Sequence, residues 1–182
     1  VGSSTSSNLP MKSNLDLGLK FIPDFIDETL EKSILNSIYK FKSNNPKLVA
    51  NYGSNNYDSI YFGERYKKDS IFIPDWISEL FLPLINANLI SENPFGIAIN
   101  EYKKGQKIAA HIDKPISGPI VTILSLNSSA TMVFKRKGND NINIDLTARS
   151  IVQIKDEIRN DWTHEILPVK DTRISIIFRS KF

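Results

Sequence analysis

The chain contains no cysteine. That excludes disulfides, zinc-thiolate sites and a thiol nucleophile, so any metal must be held by histidine and carboxylate. It also makes an intracellular location, cytoplasmic or nuclear, the simplest expectation. Histidine is almost as scarce, with two in 182 residues, so the neighbours of each carry information. No apolar run approaches the ~20 residues that span a bilayer, which argues against a membrane partner. The opening Val1 to Ser7 lacks both the basic start and the apolar stretch of a secretory signal. Residues 1–14 read as a flexible tail and 15–182 as one domain, expected to be a monomer. An apolar fraction of 41% and a charged fraction of 24% are those of an ordinary globular protein. A formal charge of +3 permits a nucleic-acid partner without requiring one.

What is present begins with a helix. Asp27 is a good N-cap, Glu28 and Glu31 put negative charge in the first turn, and Leu30, Ile34, Ile38 and Phe41 recur at helical spacing. A helix to about Phe41 should pack that stripe and leave its lysines wet. From Ser43 to Ser70 the pattern gives way to Asn, Ser, Gly and Tyr, including Tyr52, Tyr57, Tyr61 and Tyr66. Pro74 suits the start of a second helix through Trp76, Ile77, Leu80, Phe81 and Leu84, with Pro83 expected to kink or end it. Beyond Phe95 come eight short β-type segments: GIAINEY, KIAAHID, PIVTILSL, ATMVFKRK, NINIDL, SIVQIKD, WTHEIL and RISIIFR. Helices followed by a run of short strands predict an α+β domain. Residues 15–94 would be helical support and 95–182 an antiparallel β-sandwich or jelly roll.

Both histidines fall in predicted strands. His111 is followed by Asp113, and strand side chains two apart share a face and can reach a common ion. His164, 51 residues beyond Asp113, can complete a facial triad of two histidines and one carboxylate, a donor set suited to Fe(II) with positions left open. Nine residues further on, the last strand puts Arg173, Ser175, Ile177 and Arg179 on one face and Ile174, Ile176 and Phe178 on the other. Two guanidinium groups aimed at an interior require anions, and a dicarboxylate such as 2-oxoglutarate would supply them by forked pairing. The alternative is two edge-strand arginines pointing to solvent. Asn100 and Tyr102 also share a strand face, and each can hydrogen-bond a carboxylate.

Asn100-x-Tyr102, His111-Ile112-Asp113, Leu124-Ser125-Leu126, Trp162-x-His164 and Arg173-x-Ser175-x-x-Phe178-Arg179 together resemble the AlkB family of Fe(II)- and 2-oxoglutarate-dependent dioxygenases. The match in order and spacing runs from about Ile97 to Arg179 and is looser before that. The resemblance implies a double-stranded β-helix flanked by N-terminal helices, with iron on His111, Asp113 and His164. It also implies O2 as oxidant and 2-oxoglutarate as co-substrate, consumed to succinate while an N-methyl group leaves as formaldehyde. By the same resemblance Arg173 would pair with the distal carboxylate, helped by Tyr102, and Arg179 would lie near the carboxylate at the metal, helped by Asn100. Arg159 matches a family arginine near WxH, and a structural ion pair is the simpler reading of it.

The stretch from Tyr52 to Lys68 corresponds in position to the family's nucleotide-gripping lid. Tyr52, Tyr57, Tyr61 and Tyr66 could stack on an extruded base of single-stranded DNA or RNA while Arg65, Lys67 and Lys68 approach phosphates. Such a lid would add little to the stability of the β-core. The alternative is a hairpin whose tyrosines half-bury. Pro115 stands where some DNA-repair members carry a second carboxylate, so base identity is open. Three classes of activity remain: repair of N-alkylated DNA or RNA, action on tRNA modifications or protein, and a binding module without catalysis.

Overall fold

The computed structural model describes residues 14–52, 57–63, 71–90 and 94–181. Residues 1–13 of the expected tail, together with Arg65 and Tyr66, lie outside them. Helix α1 runs Glu28–Asn44, and the Asp27 side chain accepts a hydrogen bond from the Leu30 backbone N–H at 2.7 Å. It continues past Phe41 until Asn45, whose N–H closes the last turn ahead of Pro46. The second helix is two short pieces, α2 (Asp75–Ser78) and α3 (Phe81–Asn86). The break falls before Pro83, because proline has no N–H to return to the carbonyl of Glu79 and instead sits in the first turn of α3. A fourth helix, α4 (Asp156–Asn160), was not expected from the sequence. No helix among the described residues is long and apolar enough to cross a membrane.

Eleven strands form among the described residues, including all eight expected beyond Phe95. In chain order they are β1 (Leu19–Ile22), β2 (Ala50–Tyr52), β3 (Tyr57–Gly63), β4 (Gly96–Tyr102), β5 (Ile108–His111) and β6 (Ile120–Leu126). The remainder are β7 (Ala130–Lys135), β8 (Ile142–Leu146), β9 (Ile151–Ile154), β10 (Thr163–Ile166) and β11 (Arg173–Ser180). Two antiparallel sheets result, ordered β1-β9-β6-β11-β4-β3-β2 and β5-β10-β7-β8. This is the α+β double-stranded β-helix architecture.

The N-terminal half is more than helical support, since β1, β2 and β3 all join the seven-stranded sheet. The expected lid segment is therefore partly core. Strand β3 pairs with β4 from Asp58 to Gly63 and buries Ile60 and Phe62 at 2% and 0% exposure. Side-chain alternation explains why tyrosines and aliphatics coexist there, with Ile60 and Phe62 facing the helices and Tyr57, Ser59 and Tyr61 facing the other sheet.

The apolar interior divides accordingly. Ile34 and Ile38 of α1, Ile77 of α2 and Leu84 of α3 pack on Ile97, Ile99, Ile174, Ile176 and Phe178, covering the outer face of the large sheet. Lys42 ties α1 to the same face through Asp58 and Glu101. Between the sheets lies a second cluster that includes Val121, Met132, Phe134, Val152 and Trp162. It gives way at one side to a polar cavity.

Candidate active site

The cavity has a volume of about 380 Å³ and is lined from both sheets. Strands β5 and β10 pair with His111 directly opposite His164, which brings the imidazole ring centroids to 4.4 Å. Strand β5 ends at His111, because Pro115 lacks an N–H and holds Lys114 extended just ahead of it. Asp113 thus sits on a loop, yet its Oδ1 lies 3.6 Å from His111 Nε2. One donor atom from each of His111, Asp113 and His164 lies within 4.8 Å of the others.

The electrostatics suit a cation. Burial, with the neighbouring His111, pushes His164 down to about 4, so its imidazole is neutral at neutral pH. Burial alone would raise the Asp113 carboxyl, but the His111 hydrogen bond and the Arg179 charge hold it far below the usual range. The Asp113 hydrogen bond raises His111 against its own burial. His164 is 6% exposed, and its Nδ1 has no hydrogen-bond partner among the described residues. Two nitrogens and a carboxylate oxygen are the donors that Fe(II) takes in facial triads.

Strand β11 borders the cavity over its length. Arg179 Nη1 donates to Asp113 Oδ2 at 3.1 Å. Arg173, six residues away, is 1% exposed; its Nη2 donates to Ser125 Oγ at 3.0 Å and its Nε has no partner. Its guanidinium carbon stands 5.5 Å from the centre of the Tyr102 ring. Among the described residues no carboxylate pairs with it, and burial lowers its basicity.

No protein-family model matches the chain. It is 29% identical over 171 residues to the tRNA (carboxymethyluridine(34)-5-O)-methyltransferase alkbh8 of Xenopus tropicalis, an overlap of 88% of this chain and 27% of that protein. It is 29% identical to the uncharacterized protein L905 of Acanthamoeba polyphaga mimivirus, over 96% of this chain and 90% of the viral one. It is 28% identical to the probable RNA/DNA demethylase ALKBH6 of Danio rerio, over 64% of this chain and 49% of that protein. Among solved structures, OsALKBH1 matches with a TM-score of 0.66 at 14% identity, covering 90% of this chain and 98% of the other. In sequence the chain is similar to AlkB-like Fe(II)/2-oxoglutarate dioxygenases, and it shares the fold of that group's solved structure. A Trichoplax adhaerens prolyl hydroxylase in complex with a hypoxia inducible factor peptide fragment shares the fold, with a TM-score of 0.67 at 13% identity over 91% and 84% of the two chains. The present chain spans about a quarter of the length of the ALKBH8 relatives.

Within this AlkB-like fold the sequence-derived site residues fall into three groups. His111, Asp113, His164, Asn100, Tyr102, Arg173, Ser175, Arg179, Tyr52 and Tyr57 all line the cavity. Tyr61 does not line it. Its hydroxyl occupies the space over Gly96, where a Cβ would come within 1.8 Å, so this tyrosine packs and Gly96 must stay side-chain-free. Arg65 and Tyr66 lie outside the described residues. Asn100 stands opposite Ser175 in the β4–β11 register, whereas Arg179 stands opposite Gly96. Asn100 is therefore displaced from Arg179 by four residues, about 13 Å along a strand. Its amide is engaged instead by Ser59 Oγ at 2.7 Å and by the Tyr102 hydroxyl at 3.1 Å.

Two contributors were not assigned a role from the sequence, and a third, Arg159, was expected to form a structural ion pair. Ser59 lines the cavity from β3, beside β4, and Ser125 accepts from Arg173 on β6, beside β11, placements set by sheet order, which no local pattern reveals. Arg159 of α4 is 3% exposed and makes no ion pair among the described residues. It donates to the Lys114 carbonyl at 2.9 Å and the Asp113 carbonyl at 3.4 Å, pinning the backbone that carries the carboxylate.

Proposed function

We propose that the chain catalyses Fe(II)- and 2-oxoglutarate-dependent oxidation of N-alkyl groups on nucleic-acid bases. The observation that carries this reading is Arg173. A cation 1% exposed, with no carboxylate partner and an unpaired Nε among the described residues, is costly unless an anionic ligand completes it. It stands in the same cavity as a three-ligand cluster of the right donors. In this assignment His111, Asp113 and His164 hold iron, and Arg173 forks one carboxylate of 2-oxoglutarate with Ser175 and Tyr102 beside it. Iron with bound 2-oxoglutarate supplies the oxidising power that activates O2 toward a C–H bond.

The protein's own residues bind, orient and exclude water. Neutral His164 offers a lone pair without first losing a proton, and ionised Asp113 balances part of the metal's charge. Arg179 fixes the Asp113 carboxylate from one side while Arg159 fixes its backbone from the other. Val121, Ile123, Met132, Ile166 and Ile177 give the cavity an apolar wall that keeps solvent from the reacting groups.

The nucleic-acid substrate is supported by the net charge of +3 and by the exposed Tyr52 at the rim. It is also supported by a relative described as a probable RNA/DNA demethylase. The tRNA named for the ALKBH8 relatives makes modified tRNA a second substrate to examine. The test is succinate and formaldehyde release from the purified chain with Fe(II), 2-oxoglutarate and a panel of N-methylated single-stranded oligonucleotides, tRNA and peptides. Formaldehyde from an oligonucleotide is the expected result. Absence of succinate with every substrate would remove the enzymatic reading, and turnover on peptides alone would remove the nucleic acid.

A further inference from the structure

Tyr57 lies at the end of the cavity away from Asp113. Its ring packs on Tyr102, with centroids 4.9 Å apart, and Tyr102 in turn carries the Arg173 guanidinium at 5.5 Å. On its outer side Tyr57 is stacked by Tyr52, centroids 6.1 Å apart and planes 21° from parallel. The column Tyr52, Tyr57, Tyr102, Arg173 thus runs from a ring that is 47% exposed to a guanidinium that is 1% exposed. Two residues along β3, Ser59 faces the same way and feeds the hydrogen-bonded line to Asn100 and the Tyr102 hydroxyl. Arg179, which marks the metal end through Asp113, is six residues from Arg173, about 20 Å along an extended strand.

We infer that Tyr57 is a co-substrate-binding residue, its ring walling the Arg173 end of the cavity against the dicarboxylate, and that it is not a base-stacking residue. This rests on the function proposed above. A base must present its alkyl group at the metal, whereas the ring of Tyr57 is committed to Tyr102 and Tyr52. An aromatic wall has a clear use at that end. It keeps water from a guanidinium-carboxylate pair, which is stronger in a low-dielectric setting than in solvent. Tyr52, outermost in the column, shields Tyr57 as Tyr57 shields Tyr102.

The experiment compares wild type, Tyr57→Ala, Tyr57→Leu and Tyr57→Phe as the full chain loaded with Mn(II). Calorimetric titration measures 2-oxoglutarate affinity, and anisotropy of a labelled single-stranded oligonucleotide measures substrate affinity. Tyr57→Ala should weaken 2-oxoglutarate by about tenfold, the scale of one lost aromatic packing contact. KM for 2-oxoglutarate should rise in step while oligonucleotide affinity stays within about twofold. Tyr57→Phe, which keeps the ring, should bind 2-oxoglutarate like wild type. If the alanine variant does not fold, the leucine variant, which keeps most of the buried volume, must show the same selective loss. Unchanged 2-oxoglutarate affinity in the folded variants, with or without weaker oligonucleotide binding, overturns the inference. Wild-type protein that binds no 2-oxoglutarate overturns the proposed function itself, and this inference with it.

Discussion

On strand β11, Ile174, Ile176 and Phe178 turn toward the helices and are each 0% exposed. Arg173, Ser175 and Arg179 turn toward the second sheet and are nearly as deep, at 1%, 1% and 7%. Burial alone does not distinguish the two faces; completeness does. The outward face packs against α1, α2, α3 and the segments around Ile26 and Leu89, so its burial is favourable as it stands. The inward face is left with a guanidinium that has no carboxylate among the described residues, an arginine borrowed by Asp113, and imidazoles facing each other across two strands. One side of the sheet makes the fold stable, and the other is stable only as far as the first allows.

Three substitutions would break or sharpen that contrast. The largest effect belongs to His111→Ala, which should take succinate production below detection because a facial triad with one ligand missing loses its iron geometry. The melting temperature of the metal-free chain should change little, as His111 is half-exposed on an edge strand. Retained turnover would remove the metal assignment. Next is Phe178→Ala on the outward face, expected to cost about 3–5 kcal/mol by emptying a packed site. Its melting temperature should fall by on the order of ten degrees, while turnover per folded molecule is kept. Smallest in stability, but opposite in sign, is Arg173→Met. Removing a buried, unpaired charge should leave melting of the ligand-free chain unchanged or raise it by a few degrees. The same variant should lose 2-oxoglutarate binding by calorimetry. A sharp destabilisation would place Arg173 with the structural face.

Much of this contrast was legible in the sequence, because a period of two is visible one strand at a time. Alternation in RISIIFR separates the two faces, and the eight segments after Phe95 announce themselves by apolar residues between turn formers. What was not legible depends on partners distant in the chain. LKFI is too short to declare itself a strand, and becomes β1 only by lying along β9. The tyrosine-rich stretch looks like a loop in composition, yet β4 recruits Tyr57–Gly63 as a core strand. Asn100 was expected to assist Arg179 at the metal-end carboxylate and stands opposite Ser175, because register is a property of two strands. Arg159 reads as an ion-pair partner from its charge, but its acceptors are the side-chain oxygen of Asn160 and two carbonyls some 45 residues upstream.

The placement of Asp113 two residues beyond the end of β5 bears on how the site opens. His111 and His164 belong to a paired ladder, so their amides should exchange with deuterium only when β5 and β10 separate. The carboxylate rides on a loop held by Arg179 and by the two carbonyl contacts of Arg159, and such a segment can open locally while both sheets stay intact. Metal residence time should then follow the opening rate of residues 112–117, not the unfolding rate of the whole chain. Protection of those amides should rise on metal binding while the protection of β11 stays where it was.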